Sequence, residues 1–260
     1  MRFLFIGDVV GSPGLAAVKT IVPALRQSEQ LAFVVANCEN TTNGSGVSPK
    51  DYRALRAAGI DAVTLGDHVY KKYELAGLMA ADGEPVCKPA NYPAAAPGRD
   101  HILFTAGQVR VAVFSLLGRT YMRAVDCPYT AADRVLESLK GRADVVIVDM
   151  HAEATADKYL MFHHLKGRVT AILGTHTHVQ TADEQITEGT AFICDAGMTG
   201  PFDSILGRRI DRVLSTAITF VPSSFDVATG DVRLGGVIVD ADPATGKATA
   251  IKRVMAPLAS

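Results

Sequence analysis

Two histidines separated by one residue, His176 and His178, close the segment Gly174-Thr175-His176-Thr177-His178. Neutral imidazole is the commonest side-chain metal ligand. The pair follows the apolar run Val169-Thr170-Ala171-Ile172-Leu173, which reads as a strand. Residues two apart on a strand share a face, so the spacing predicts that both rings reach one site from one strand end. Four further clusters end short apolar runs in the same way. Residues 2–6 run into Gly7-Asp8, and residues 31–36 into Asn37-Cys38-Glu39-Asn40. Residues 60–65 run into Gly66-Asp67-His68, and residues 145–148 into Asp149-Met150-His151.

Together Asp8, Glu39, Asn40, Asp67, His151, His176 and His178 form a mixed nitrogen and oxygen set. Such a set suits manganese, iron or zinc better than magnesium or calcium, and it lacks the thiolates of a soft site. The ligands outnumber the three or four of a single open site. The count therefore predicts two ions, with Glu39 able to bridge them across about 3.5–4 Å. Each cluster alone has an ordinary use, such as a turn-forming acid or a hydrogen-bonded rim histidine. Five strand ends carrying such clusters favour a metal site. His101, His163 and His164 follow no strand end and read as surface or core histidines.

The elements that must position these residues alternate. Residues 15–26 carry Leu15, Val18, Ile21, Val22 and Leu25 at helical spacing. Ser48, with Asp51 three residues on, reads as the start of a second helix. Strands alternating with helices predict a largely parallel sheet with its site at the carboxyl ends of the strands. Residues 70–79 read as a helix, and residues 210–218 fit helix or strand. Later runs look antiparallel: 102–105 with 109–117, and 232–240 with 248–254 around Asp242-Pro243-Ala244-Thr245-Gly246. No repeat, low-complexity tract or linker divides the chain, so residues 1–260 read as one domain.

Composition bounds the partners. Lys and Arg number 26 against 27 Asp and Glu, for a formal net charge of −1. Nothing resembles the basic footprint of a protein that holds long nucleic acid. Cys38, Cys87, Cys127 and Cys194 lie far apart and form no CxxC pair, which argues against a zinc knuckle and against disulfides. A reducing, cytoplasmic setting is expected. The first apolar run is too short for a signal peptide, and no run is long enough to span a bilayer. Gly7 to Gly14 has the spacing GxxxGxxG, not that of a dinucleotide loop, and there is no phosphate-binding P-loop or GxSxG elbow.

The order of these motifs resembles the calcineurin-like metallophosphoesterases: a GD motif, a bridging acid, a GNH-like motif at Gly66-Asp67-His68, a lone His151, and a histidine pair at 176 and 178. More closely, the chain is similar to the YmdB-like bacterial branch. Asn37-Cys38-Glu39-Asn40, Lys88-Pro89-Ala90-Asn91-Tyr92-Pro93, His151-Ala152-Glu153-Ala154-Thr155 and Gly197-Met198-Thr199-Gly200-Pro201 carry that likeness. The resemblance implies a four-layer α/β/β/α sandwich of two mixed sheets. It implies a di-metal centre, iron first with manganese or zinc as alternatives, and 2′,3′-cyclic nucleotide phosphodiesterase activity by a metal-activated hydroxide. One ion would take Asp8, Glu39, Asn40 and His178; the other would take Glu39, Asp67, His151 and His176. His68 would be the general acid.

Two departures stand out. The superfamily's DxH at the first strand is Asp8-Val9-Val10 here, with Asn40 as the substitute ligand. Asp67 stands where Asn usually precedes the catalytic histidine, and its charge should tighten metal binding and reduce Lewis acidity. Asn91, Tyr92 and Thr199 are candidate substrate contacts, and the apolar Pro201-Phe202 could serve a homo-oligomer. Two other functions fit the same residues: a phosphomonoesterase acting on nucleotides or phosphoproteins, and a non-enzymatic metal-holding scaffold that binds a cyclic nucleotide or a protein.

Overall fold

β-branched and aromatic runs form strands wherever they are short and bounded by turn residues. The computed structural model describes residues 1–259. In the first half, β1 (Arg2–Ile6), β2 (Asp8–Val9), α1 (Gly11–Ser28), β3 (Phe33–Asn37), α2 (Pro49–Ala57) and β4 (Ala62–Thr64) alternate as expected. Ser48 caps α2 by accepting from Asp51 N at 3.2 Å. A short α3 (Ala76–Ala80) follows, then β5 (Ile102–Ala106), β6 (Val109–Leu117), α4 (Pro128–Leu139), β7 (Val145–His151), α5 (Thr155–Leu165) and β8 (Ala171–Thr175). The chain ends with β9 (Gln185–Thr187), β10 (Thr190–Ile193), β11 (Met198–Asp203), α6 (Ile210–Thr219), β12 (Gly230–Asp242) and β13 (Lys247–Pro257).

Two mixed sheets result. The first has the order β2-β11-β12-β1-β3-β4, with β13 paired along β12. Here β1, β3 and β4 are parallel, while β12 runs antiparallel to β1, β11 and β13. The second has the order β5-β6-β7-β8-β10-β9, parallel at its centre and antiparallel at both edges.

Strand alternation sorts the side chains into layers. Leu4, Ile6, Val34 and Ala36 face α1 and α2, while Phe3, Phe5, Phe33 and Val35 face the second sheet. From that sheet Val145, Ile147, Ala171 and Leu173 meet them, and Val148, Met150 and Ile172 pack under α4 and α5. The architecture is therefore a four-layer α/β/β/α sandwich. Phe3 stacks on Phe33 at 4.9 Å, with Phe104 edge-on at 5.5 Å, in the layer between the sheets.

Two local readings change. Residues 70–79 form a 3-10 turn (Tyr73–Leu75) and then enter a helix of only five residues, Ala76–Ala80. Backbone bonds from Val69 N to Gly66 O and from Lys71 N to His68 O hold the preceding segment in turns, so the helix starts late. Residues 210–219 are helical, and no residue of α6 is buried. Among the described residues, no helix is long and apolar enough to cross a membrane.

Candidate metal centre

The layer between the sheets turns polar at the carboxyl ends of the strands, without changing its alternation. On β7 the series Val145, Ile147 continues as Asp149 and His151; on β3, Phe33 and Val35 continue as Asn37. Thr64 on β4 and Thr175 on β8 occupy the same face. These polar side chains satisfy one another. Asp149 Oδ2 accepts from Thr64 Oγ1 at 2.5 Å and from Asn37 Nδ2 at 2.9 Å, and Oδ1 accepts from Thr175 Oγ1 at 2.6 Å. Burial pushes the Asp149 carboxyl up to about 6, against the pull of His151 and the two threonine hydroxyls. His151 Nδ1 lies 2.9 Å from Thr175 Oγ1, whose own proton goes to Asp149, so Nδ1 donates and Nε2 is left facing outward.

Around that Nε2 stand three further groups. Glu39 Oε1 is 3.0 Å away, Asp67 Oδ1 3.2 Å and His176 Nδ1 3.0 Å. The ligand atoms of Glu39, Asp67, His151 and His176 all lie within 4.8 Å of one another. The other Glu39 oxygen, Oε2, is fixed by Gly66 N at 2.7 Å and His68 N at 2.9 Å. Gly66 must lack a side chain, because a Cβ there would collide with the His151 ring.

Glu39 Oε1 is buried and, although 3.0 Å from His151 Nε2, makes no aligned hydrogen bond. An orphaned carboxylate oxygen is costly to bury. Its position among two imidazoles and a second carboxylate suits a cation, so the residues present fit a metal. Without an ion, the charge on His151 balances the two carboxylates. Burial alone would raise Glu39, but the nearby charge of His151 holds it below the usual carboxylate range. Burial likewise opposes Asp67, and hydrogen bonding to His151 with the charges of the surrounding histidines overrides it. Burial disfavours a charged His151, yet Glu39, Asp67 and Asp8 hold it well above the ordinary range. His176 is pushed down by burial and by the charge of His151.

Beside this cage lie Asp8, Asn40 and His178. His178 Nε2 is 3.3 Å from Asn40 Nδ2 and 3.8 Å from Asp8 Oδ1. Asp8 Oδ2 accepts from His176 N at 2.9 Å. His178 Nδ1 donates to the Leu206 carbonyl at 3.0 Å, and His176 Nε2 meets Glu153 at 3.1 Å. His68 donates from Nδ1 to Asn40 Oδ1 at 2.7 Å, while its Nε2 lies 3.7 Å from Asp67 Oδ2.

The histidine pair arrives by a different route from the one its spacing predicts. β8 ends at Thr175, and His176 and His178 both take left-handed backbone, with φ of 99° and 64°. The strand period therefore does not apply to them, and the turn of the loop sends one ring to the cage and the other to Asp8. Two expected substrate contacts are engaged with neighbouring backbone. Asn91 is buried and commits its amide to Leu117 O, Asp126 O and Leu117 N. Thr199 is buried in β11 with its hydroxyl exchanged with Gly235 O and N. Neither keeps a polar group free for substrate. Tyr92 differs: Arg123 donates to its hydroxyl at 3.2 Å and lies 5.5 Å over its ring. Burial raises the Tyr92 hydroxyl, and the charges of Asp67 and Glu39 add to that rise.

Reading by motif missed Asp149, Thr175, Glu153 and Asp195. For Asp149 a signal exists: a carboxylate inside a solid apolar run, two residues before His151 and so on its face.

Similarity to known proteins runs the length of the chain. The family described as YmdB-like protein matches residues 4–254. A 2′,3′-cyclic-nucleotide 2′-phosphodiesterase of Bacillus subtilis (strain 168) is 41% identical over 256 residues, which is 98% of this chain and 97% of that protein. The crystal structure of a novel phosphatase from Mycoplasma pneumoniae superposes with a TM-score of 0.92 at 31% identity, covering 99% of this chain and 93% of that one. A hypothetical protein from Thermus thermophilus superposes equally well, with a TM-score of 0.92 at 38% identity and 99% of each chain covered.

Proposed function

This chain belongs to the YmdB-like protein family, and on that footing we propose that it is a metal-dependent phosphodiesterase that opens 2′,3′-cyclic nucleotides. The observation that carries the reading is the orphaned Glu39 Oε1 within the cage of Glu39, Asp67, His151 and His176, with His68 beside it. The relative of Bacillus subtilis that is alike over its whole length is named for that activity.

Glu39, Asp67, His151 and His176 would hold one ion. Asp8 and His178, with Glu39 shared, would hold a second, joined by Asn40 through the Oδ1 lone pair that His68 leaves free. The proposed occupant is iron, with manganese or zinc as alternatives. When bound, the metal supplies Lewis-acid polarisation of the phosphate oxygens and lowers the pKa of a water. The remaining work falls to side chains. His151, His176 and His178 each have their second ring nitrogen engaged, by Thr175, Glu153 and the Leu206 carbonyl, which leaves one nitrogen of each for the ion. His68 keeps its Nδ1 on Asn40, so Nε2 is the nitrogen that carries the proton to the leaving oxygen. The oxygen of water bonds to phosphorus and gives one proton up to solvent, the bond from phosphorus to the ribose 2′ oxygen breaks, the His68 proton goes to that oxygen, and solvent returns a proton to His68. The product carries a terminal phosphate on the 3′ position.

Tyr92 and Arg123 are the proposed contacts for the nucleotide outside the ions. The layer shared by the two sheets supports one domain over residues 1–260. The exposed Leu214, Ile218 and Phe220 at α6 support a homo-oligomer, and the unpaired cysteines a cytoplasmic setting.

The test is an elemental analysis of protein purified without added metal, followed by assay of a 2′,3′-cyclic nucleotide against a terminal phosphate ester. Metal-dependent opening of the cyclic substrate is expected. Turnover of the monoester alone would replace the proposal with a phosphomonoesterase, and metal without any turnover would replace it with a scaffold.

A further inference from the structure

The loop that carries His176 and His178 is left-handed at both histidines. Residues other than glycine hold that backbone only where their surroundings over-determine it. Thr177, between them, is the anchored point. Its N–H at 3.1 Å and its hydroxyl at 2.7 Å both donate to Asp195 Oδ2. The same oxygen accepts from Lys158 Nζ at 2.7 Å, and Asp195 Oδ1 accepts from Gly197 N at 2.8 Å. Asp195 also closes the far side of the loop: Thr181 N donates to its carbonyl, and its own N–H donates to Thr181 Oγ1. Gly197 in turn gives its carbonyl to Asp8 N. One carboxylate thus ties the histidine loop to the segment that presents Asp8.

Charge explains the residue types. The side chains of Asp195 and Lys158 are each 1% exposed. A carboxylate buried that deeply stays ionised only when it is paired and hydrogen-bonded. Lys158, projecting from α5 beneath the loop, supplies the countercharge, and its stem packs against Gly174. A Cβ on Gly174 would collide with the Cys194 carbonyl, so the end of β8 presses directly on the segment that bears Asp195. Such a pair contributes little net stability over an apolar substitute. What it fixes is geometry. Asp195 is not among the residues whose ligand atoms gather in the cage, and it reaches the site through Thr177.

We infer that Asp195, with Lys158 as its charge partner and Thr177 as its point of contact, is a positioning residue that sets where both imidazoles stand and thereby sets metal affinity. This rests on the metal-centre reading above. Thr177→Val removes the hydroxyl at nearly constant shape, and Thr177→Ser restores it. Thr177 is half-buried on a loop, so neither change threatens the fold. The full-length protein and both variants are stripped of metal and titrated with Mn²⁺ alone by calorimetry. Melting of the metal-free proteins is followed in parallel.

Thr177→Val is expected to bind Mn²⁺ about 10–100-fold more weakly. Thr177→Ser is expected to bind as the parent does, and all three metal-free proteins to melt together. Lys158→Met strands the buried Asp195 carboxylate, so it is expected to lower the melting temperature of the metal-free protein and, in the folded fraction, to repeat the weakened binding. Undiminished binding by Thr177→Val would overturn the inference while leaving the metal centre intact. So would equal losses in Thr177→Val and Thr177→Ser. A parent protein that takes up no Mn²⁺ would overturn the metal centre itself, and the positioning role with it.

Discussion

His151 and the pair His176/His178 reach the same place by different construction. His151 is the last residue of β7, fully buried, with its ring held through Thr175 to Asp149 in the layer between the sheets. His176 and His178 stand on a left-handed loop, partly exposed, and their outer nitrogens rest on Glu153 and on the Leu206 carbonyl. On the strand side, positioning the ligand and packing the fold are one act, because Asp149, Asn37 and Thr64 continue the alternation of the core. On the loop side, the contacts nearest the proposed ligands, those of Thr177, Glu153 and the Leu206 carbonyl, lie at a partly exposed rim. Damage to the strand side should therefore read as lost stability, and damage to the loop side as lost metal affinity.

The largest effect should come from the residue both sides share. Glu39 faces His151 with one oxygen and anchors Gly66 N and His68 N with the other. Glu39→Ala should abolish metal retention and lower kcat/KM by far more than about 100-fold, the upper range for outer groups that only orient ligands. Elemental analysis and steady-state kinetics check this. A Glu39→Ala protein that keeps its metal would break the idea that the two sides share a ligand.

His68 belongs to neither side, and its substitution separates chemistry from metal binding. His68→Ala should lower kcat by about 10²–10⁴-fold, the range for a positioned general acid, with metal content unchanged. Loss of metal along with the rate would move His68 from proton donor to ligand.

The strand side is tested by Asp149→Ala. It leaves the Thr64 and Thr175 hydroxyls and the Asn37 amide without their buried acceptor. At roughly 1–3 kcal/mol for each buried group left unpaired, the metal-free protein should lose at least about 3 kcal/mol. Thermal and urea melts in the absence of metal check this. An unchanged midpoint would show that the strand side is not part of the stability of the core.

The same contrast decides what the sequence discloses. Strand ends obey a period, so Asp8, Glu39, Asp67 and His151 stand out at the ends of apolar runs, and the sandwich follows from their spacing and from the later hairpins. The loop obeys no period. Nothing in Gly174-Thr175-His176-Thr177-His178 announces two left-handed residues, and nothing links Asp195 to Lys158, 37 residues apart. Thr199 and Asn91 show a related limit: a polar residue in an irregular stretch looks available, while both direct their hydrogen bonds to neighbouring backbone. Spacing discloses which side chains share a face, and it is silent on which buried partners have already claimed them.

The smallest effect is the sharpest probe of the loop side. Glu153 is half exposed and meets His176 Nε2 at 3.1 Å, on the nitrogen opposite the one that faces His151. An acceptor there fixes the ring's tautomer and raises the basicity of the facing nitrogen. Solvent at the rim can replace part of that hydrogen bond, so the loss on Glu153→Ala should sit near the low end, about tenfold in metal affinity. Its metal-free melting should match the parent, because no buried donor is orphaned. A calorimetric titration paired with a thermal melt decides the matter. If Glu153→Ala destabilised the metal-free protein as Asp149→Ala is expected to, the loop would share the core's cooperativity and the division between the two sides would fall.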